Sequence, residues 1–183
     1  MALKSTVFKL GLNVSDMDRG HYGEYALTVA RHPSENDERM MVRVLAFALH
    51  ADDDLRFGRG LSSEDEADLH ATHPDGTLRL WIDVGLPDEK WVKKAAARAQ
   101  QVVVLAYGRT APLWWAKVRE TLARLDNLTV WQLEADDSRA LAVLAERGSS
   151  LQFIRQDGHL WLGSTDPLLE PRCQLLKNAG KLD

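Results

Sequence analysis

Apolar positions along the chain follow two spacings, and the changes between them mark its elements. Val7 to Asp16 and Tyr22 to Ala30 alternate with the two-residue period of strands, with Asp18, Arg19 and Gly20 as turn material between them. They predict an antiparallel hairpin with one solvated face. Pro33 breaks the second strand, and Ser34 caps a helix, with Asp37 three residues on in a capping-box-like position. That helix runs to about His50 on a stripe of Met41, Val44, Leu45 and Ala48, widened by Val42, Phe47 and Leu49. Asp52 to Asp54 end it. Leu55 to Leu61 reads as a connection with one strand turn. Ser62 to Gly76 is strongly polar and predicts a loop, with room for a helical turn at Glu64 to Leu69.

From Leu78 the pattern changes. Leu78 to Val84 is a nearly continuous apolar run and reads as a buried strand ending at Gly85. Pro87, Asp88 and Glu89 open an amphipathic helix, with proline early and acids near the positive end of the macrodipole. Val102 to Tyr107 is a second buried strand, Pro112 to Leu125 a helix with Trp114, Trp115, Val118 and Leu122 inward, and Leu128 to Leu133 a third strand. Ser138 to Glu146 is a short helix. Leu151 to Arg155 and His159 to Leu162 form a closing hairpin around Asp157-Gly158. Residues 164–183 read as an irregular tail. Alternating strands and helices imply right-handed crossovers and parallel neighbours. The expected fold is therefore α/β: one mixed central sheet flanked by helices, with antiparallel hairpins at both ends, in a single domain over residues 1–183.

Composition changes this picture little. A formal charge of −4 leaves no global basic field for nucleic acid, so such a partner would need a local patch. The lone Cys173 excludes an internal disulfide and fits a reducing compartment. The first residues lack an apolar signal segment, and no run reaches membrane-spanning length, so the expectation is a cytoplasmic protein without a membrane partner.

Chemistry enters with Asp83, a carboxylate between Ile82 and Val84 in the apolar strand. Burying it is costly without compensation, so either a buried Arg or Lys pairs with it or it belongs to a functional site. Asp68 lies in the polar stretch that leads into this strand. Two carboxylates meeting at a sheet end can share Mg²⁺ or Mn²⁺, which would orient and deprotonate a water near a phosphoryl group. The alternative is that Asp68 is one of several solvated acids, with Glu64, Asp65 and Glu66. Glu38 heads the apolar side of the first helix, where it completes an acidic pocket or merely favours the helix dipole. Lys90, Lys93, Lys94 and Arg98 follow Gly85; Lys90 is within reach of a phosphate at the strand end, or the run is a wet helix face. Arg39, Arg43, Arg56 and Arg59 form a second positive group for a phosphate backbone or for neighbouring acids. His70 and His73 read as surface residues, too few for a zinc site.

Four stretches carry a family resemblance: Ala30 to Ala51, Gly60 to Leu69, Leu80 to Ala95 and Leu122 to Leu128. On these blocks the chain resembles the YaeQ family of bacterial proteins, which in turn resembles the PD-(D/E)XK nuclease-like fold. The resemblance implies that Glu38 is similar to the helix-borne acid of the nuclease motif. Asp68 is similar to the aspartate of its first half, with Ala67 where proline often stands, and Asp83 to the acid of its second half. The lysine expected two positions later is replaced by Gly85. Two functions follow as expectations. One is a Mg²⁺- or Mn²⁺-dependent phosphodiesterase or nuclease. In it Asp68 and Asp83 hold the metal, Glu38 supports them, Lys90 acts on the phosphate, and Arg39, Arg43, Lys93 and Lys94 bind substrate. The other is a non-catalytic nuclease-like protein that binds nucleic acid or a protein partner.

Overall fold

The computed structural model describes residues 3–59 and 65–180. In chain order the elements are β1 (Thr6–Asp16), β2 (His21–Arg31), α1 (Asp37–Leu49), β3 (Arg56–Phe57), β4 (Leu69–Thr72), β5 (Leu78–Val84) and α2 (Glu89–Arg98). There follow β6 (Ala99–Ala106), α3 (Ala111–Leu122), β7 (Leu128–Leu133), α4 (Ala135–Leu141), β8 (Ser150–Gln156), β9 (His159–Gly163) and β10 (Cys173–Lys177).

The expected single sheet is two mixed sheets. The two hairpins do not extend the central sheet: β1 pairs in parallel with β8, giving a separate sheet of order β2-β1-β8-β9. The other has order β10-β7-β6-β5-β4-β3, with β5, β6 and β7 parallel as the alternation predicted. The hairpins needed a second partner surface, and α1 supplies it. Every residue from Met40 to Leu49 is buried, Arg43 included, so α1 is wrapped all round rather than along one stripe. One core joins α1 to Leu10, Leu12, Val29 and Phe153 of the first sheet and to Leu80, Ile82 and Val84 of the second. Strand alternation turns Trp81 to the opposite face, where α2 and α3 cover it with Val92, Ala95, Val118 and Leu122.

Three further local readings are corrected. The polar stretch is not a loop throughout, since Leu69–Thr72 pairs antiparallel with β5. Leu69 and Ala71 bury alternately there, a two-residue period too short to stand out among its charged neighbours. The helical turn at Glu64 to Leu69 begins outside the described residues, and Leu69 itself is in strand. The supposed tail contributes β10, which pairs antiparallel with β7 on the open side of the sheet. α1 is capped by Asn36, not Ser34: the Asn36 side chain accepts from the Arg39 N–H at 2.8 Å, while Ser34 hydrogen-bonds His32.

Asn36→Ala is expected to lower stability by about 1 kcal/mol, whereas Ser34→Ala stays within about 0.5 kcal/mol of wild type. Urea denaturation followed by circular dichroism checks both.

Candidate functional site

The antiparallel register of β4 on β5 sets Leu69 opposite Ile82, and so brings Asp68 beside Asp83. They interlock through the backbone. The Asp68 N–H donates to Asp83 Oδ1 at 3.3 Å, and the Val84 N–H donates to Asp68 Oδ2 at 2.8 Å. Asp83 Oδ2 accepts from two indoles, Trp81 Nε1 and Trp91 Nε1, both at 2.9 Å. No arginine or lysine pairs with Asp83 among the described residues. Burial pushes its pKa up to about 6, and the Asp68 carboxylate pushes the same way; the indoles and the Asp68 N–H offset part of this.

The cation that sequence reasoning sought lies on Asp68 instead. Arg39, from the first turn of α1, donates through Nη2 to Asp68 Oδ1 at 2.7 Å and through Nη1 to Glu35 Oε1 at 3.0 Å. Arg43, one turn further along, grips the same Glu35 through Nε at 2.8 Å and Nη2 at 2.7 Å. Glu35 and Arg43 side chains are both fully buried. Burial opposes the Arg39 charge, but Asp68 and Glu35 together outweigh it and hold the guanidinium above its ordinary pKa. Glu38 turns to α4, where Ser138 Oγ donates to Glu38 Oε1 at 2.6 Å.

Tyr107, at the end of β6, shares this neighbourhood. Its pKa is pushed up to about 12 by burial, and Glu38, Glu35 and Asp68 reinforce the shift against Arg39. These side chains gather at the carboxyl ends of β5 and β6, the end of such sheets where ligands commonly bind. Between them Gly85 has φ +104°, a conformation a side chain there would hold only under strain. The turn thus explains why no lysine stands at that position.

The predicted site residues divide accordingly. Glu38, Arg39, Asp68 and Asp83 gather at one end of the fold. Arg43 faces Glu35 in the interior rather than any substrate. Lys90 is exposed on α2, while Lys93 pairs with Glu89 at 3.7 Å and Lys94 pairs with Asp65. Arg98 lies over the Trp81 ring, 5.2 Å from its centroid. As the side chains stand, the carboxylate pair does not fit Mg²⁺ or Mn²⁺: each of its four oxygens already accepts from an N–H, and one of these donors is a guanidinium that would repel the ion. Among the described residues, no three His, Cys, Asp or Glu side chains are grouped to hold a metal.

Sequence reasoning passed over Glu35, Tyr107, Ser138 and the indoles of Trp81 and Trp91. A signal existed for the first: Glu35, Arg39 and Arg43 recur every four residues, the spacing of one helix face.

The YaeQ protein family model matches residues 1–171. The chain belongs to the YaeQ family. The YaeQ protein of Salmonella typhi is 44% identical over 171 residues, which cover 93% of this chain and 94% of that one. The YaeQ protein of Escherichia coli K12 is 40% identical over the same lengths. Both are named uncharacterized. The crystal structure of the YaeQ protein from Xanthomonas axonopodis pv. citri superposes with a TM-score of 0.91 at 44% identity, covering 94% of this chain and 98% of that chain. That of Pseudomonas syringae gives 0.90 at 34%, covering 95% and 97%. These names supply a family and a fold, not a reaction. No described helix is long and apolar enough to cross a membrane.

Two predictions test the electrostatics of this cluster. Because the folded pKa of Asp83 lies above the unfolded one, the native state binds the extra proton between about pH 4 and 6. Stability from this group is therefore full below about pH 4 and declines as pH rises through 6, by on the order of 3 kcal/mol. Asp83→Asn should flatten that decline, measured as unfolding midpoint against pH. Arg43→Met alone, leaving Glu35 buried without its main partner, should cost about 3–5 kcal/mol, and Glu35→Gln combined with Arg43→Met should recover much of it in a denaturant double-mutant cycle.

Proposed function

We propose that this YaeQ-family chain is a non-catalytic binding protein on a PD-(D/E)XK-like framework, and that the surface around Asp68 and Asp83 receives a protein partner. The observation that carries the reading is that fixed N–H donors occupy every oxygen of Asp68 and Asp83. A carboxylate whose oxygens are filled this way has no free position to offer a metal. The glycine turn at Gly85 removes the remaining catalytic group of the motif.

The charge distribution favours protein over nucleic acid. Of the four basic side chains on α2, three are engaged within the chain, and net charge is −4. Nucleic-acid affinity depends on unpaired cations meeting phosphates. The surface beyond Gly85 carries exposed apolar side chains instead. Leu86 follows the Gly85 turn, and Leu113 stands on the first turn of α3, 72% exposed. Trp114 Nε1 donates to the Pro87 carbonyl at 2.8 Å and holds these two turns side by side.

The second reading, a metal-dependent phosphodiesterase or nuclease, draws on the gathering of Asp68 and Asp83 at one strand end with Glu38 nearby. It requires Arg39 to leave Asp68. The deciding experiment incubates wild type, Arg39→Ala and Asp83→Asn with DNA and RNA in Mg²⁺ or Mn²⁺. We expect no cleavage by wild type or Arg39→Ala above the Asp83→Asn background, and no tight, steeply salt-dependent nucleic-acid binding in fluorescence anisotropy. Cleavage abolished by Asp83→Asn would sink the proposal, as would nucleic-acid binding that falls steeply with salt and is lost in Lys90→Glu.

A further inference from the structure

At the end of α1 remote from Asp68 and Asp83, the two sheets border a cavity of about 250 Å³. Leu49, Trp131 and Leu160 give it apolar walls, while His50, Arg155 and Cys173 supply its polar edge. No carboxylate lines it. The Arg155 Nε is buried 3.2 Å from Asp18 Oδ2, whose carboxyl it helps to hold below its ordinary pKa. Its Nη1 is 3.8 Å from Asp16 Oδ2, and that aspartate already has Arg19 at 2.7 Å. The guanidinium borders the cavity, and neither of its two aspartates lines it.

The neighbouring groups fix the character of the space. His50 makes no side-chain hydrogen bond with any described residue. Burial, then the Arg19 and Arg155 charges, push its pKa down to about 4 against the opposing pull of Asp16, so the imidazole is neutral at pH 7 and sits in a field positive on balance. Burial, with help from Asp137, pushes the Cys173 thiol up to about 12, so it stays protonated. Apolar walls with a guanidinium and an imidazole on one edge suit a molecule with a greasy body and one negative end.

We propose that this cavity binds a small organic carboxylate with a compact apolar body, its carboxylate received by Arg155 and His50 and its body packed against Leu49, Trp131 and Leu160. Arginine takes planar carboxylates through paired, charge-assisted hydrogen bonds. An apolar cavity of about 150 Å³ accommodates benzene, so this larger space takes a six-membered ring with its carboxylate. The site does not depend on Asp68 and Asp83, which lie at the other end of a helix roughly 20 Å long.

The test titrates benzoate into the full-length protein and follows amide and imidazole resonances by NMR, with benzamide as the uncharged comparison. A single saturable transition is expected, with shifts concentrated at Leu49, His50 and Leu160 and absent from Gly85 and Tyr107. Benzamide and Arg155→Met should each weaken binding roughly ten- to a hundredfold. Because Arg155 also faces two aspartates, Leu160→Phe provides an independent arm: it fills the cavity, keeps the cation and should abolish saturation. Shifts that fail to saturate, equal affinity for benzamide, or undiminished binding in Leu160→Phe would overturn the proposal.

Discussion

The chain of charges from Arg43 through Glu35 and Arg39 to Asp68 is the constraint on which this architecture turns. A carboxylate sealed from solvent needs its lone pairs filled, and Glu35 has them filled by two guanidiniums carried on the same helix. Both arginines are therefore committed before any ligand arrives. Arg39 also donates through Nη2 to Asp68, tying the first turn of α1 to the start of β4, and Asp68 in turn accepts from the Val84 N–H beside it. A helix otherwise held between sheets by non-directional apolar contact thus gains a fixed position at one end. The placing of Asp68 beside Asp83 is braced by that anchor.

The central place of α1 explains why the molecule has two regions of chemical interest and why they are unalike. A helix buried on every side presents polar groups only at its ends. At its start, acidic residues and the arginine pair accumulate where the parallel strands of the second sheet finish. At its finish, His50 caps the helix where β7, β8 and β10 leave a gap that apolar side chains do not fill. The first end is crowded and internally satisfied, and the second is roomy with donors left over. The two ends differ in how far the fold has already used their hydrogen-bonding capacity.

How much of this was legible in the sequence depended on the range of the interactions involved. Leu78–Val84 and Leu128–Leu133 were read to the residue, because a continuous apolar run between turn signals admits little else. The closing hairpin followed from Asp157-Gly158, whose positive φ values are those its turn demands. By contrast, the pairing of β1 with β8 joins residues more than a hundred positions apart, and no local pattern announces it. β10 was hidden because an edge strand with Leu175 exposed lacks a clean alternation. The meeting of Asp68 and Asp83 was foreseen as a loop reaching a strand end, and arose instead from strand register. The error in mechanism was instructive: a cation was sought for Asp83, while neutral indoles from Trp81 and Trp91 did the compensating.

That last difference bears on what such a pair of acids can do. An indole donates one N–H and brings no charge, so two of them make a buried carboxylate tolerable without stabilising its ionised form as a guanidinium would. Asp83 accordingly keeps an elevated proton affinity, while Asp68, three ångströms away through its own backbone, carries the ion pair. In a metal-binding pair both acids must stay charged and present free oxygens to one point. Here the two are driven apart in character, one leaning toward neutrality and the other bound to a cation, and their oxygens are turned to separate donors. The convergence of the two acids on a strand end fastens helix, strand and turn together.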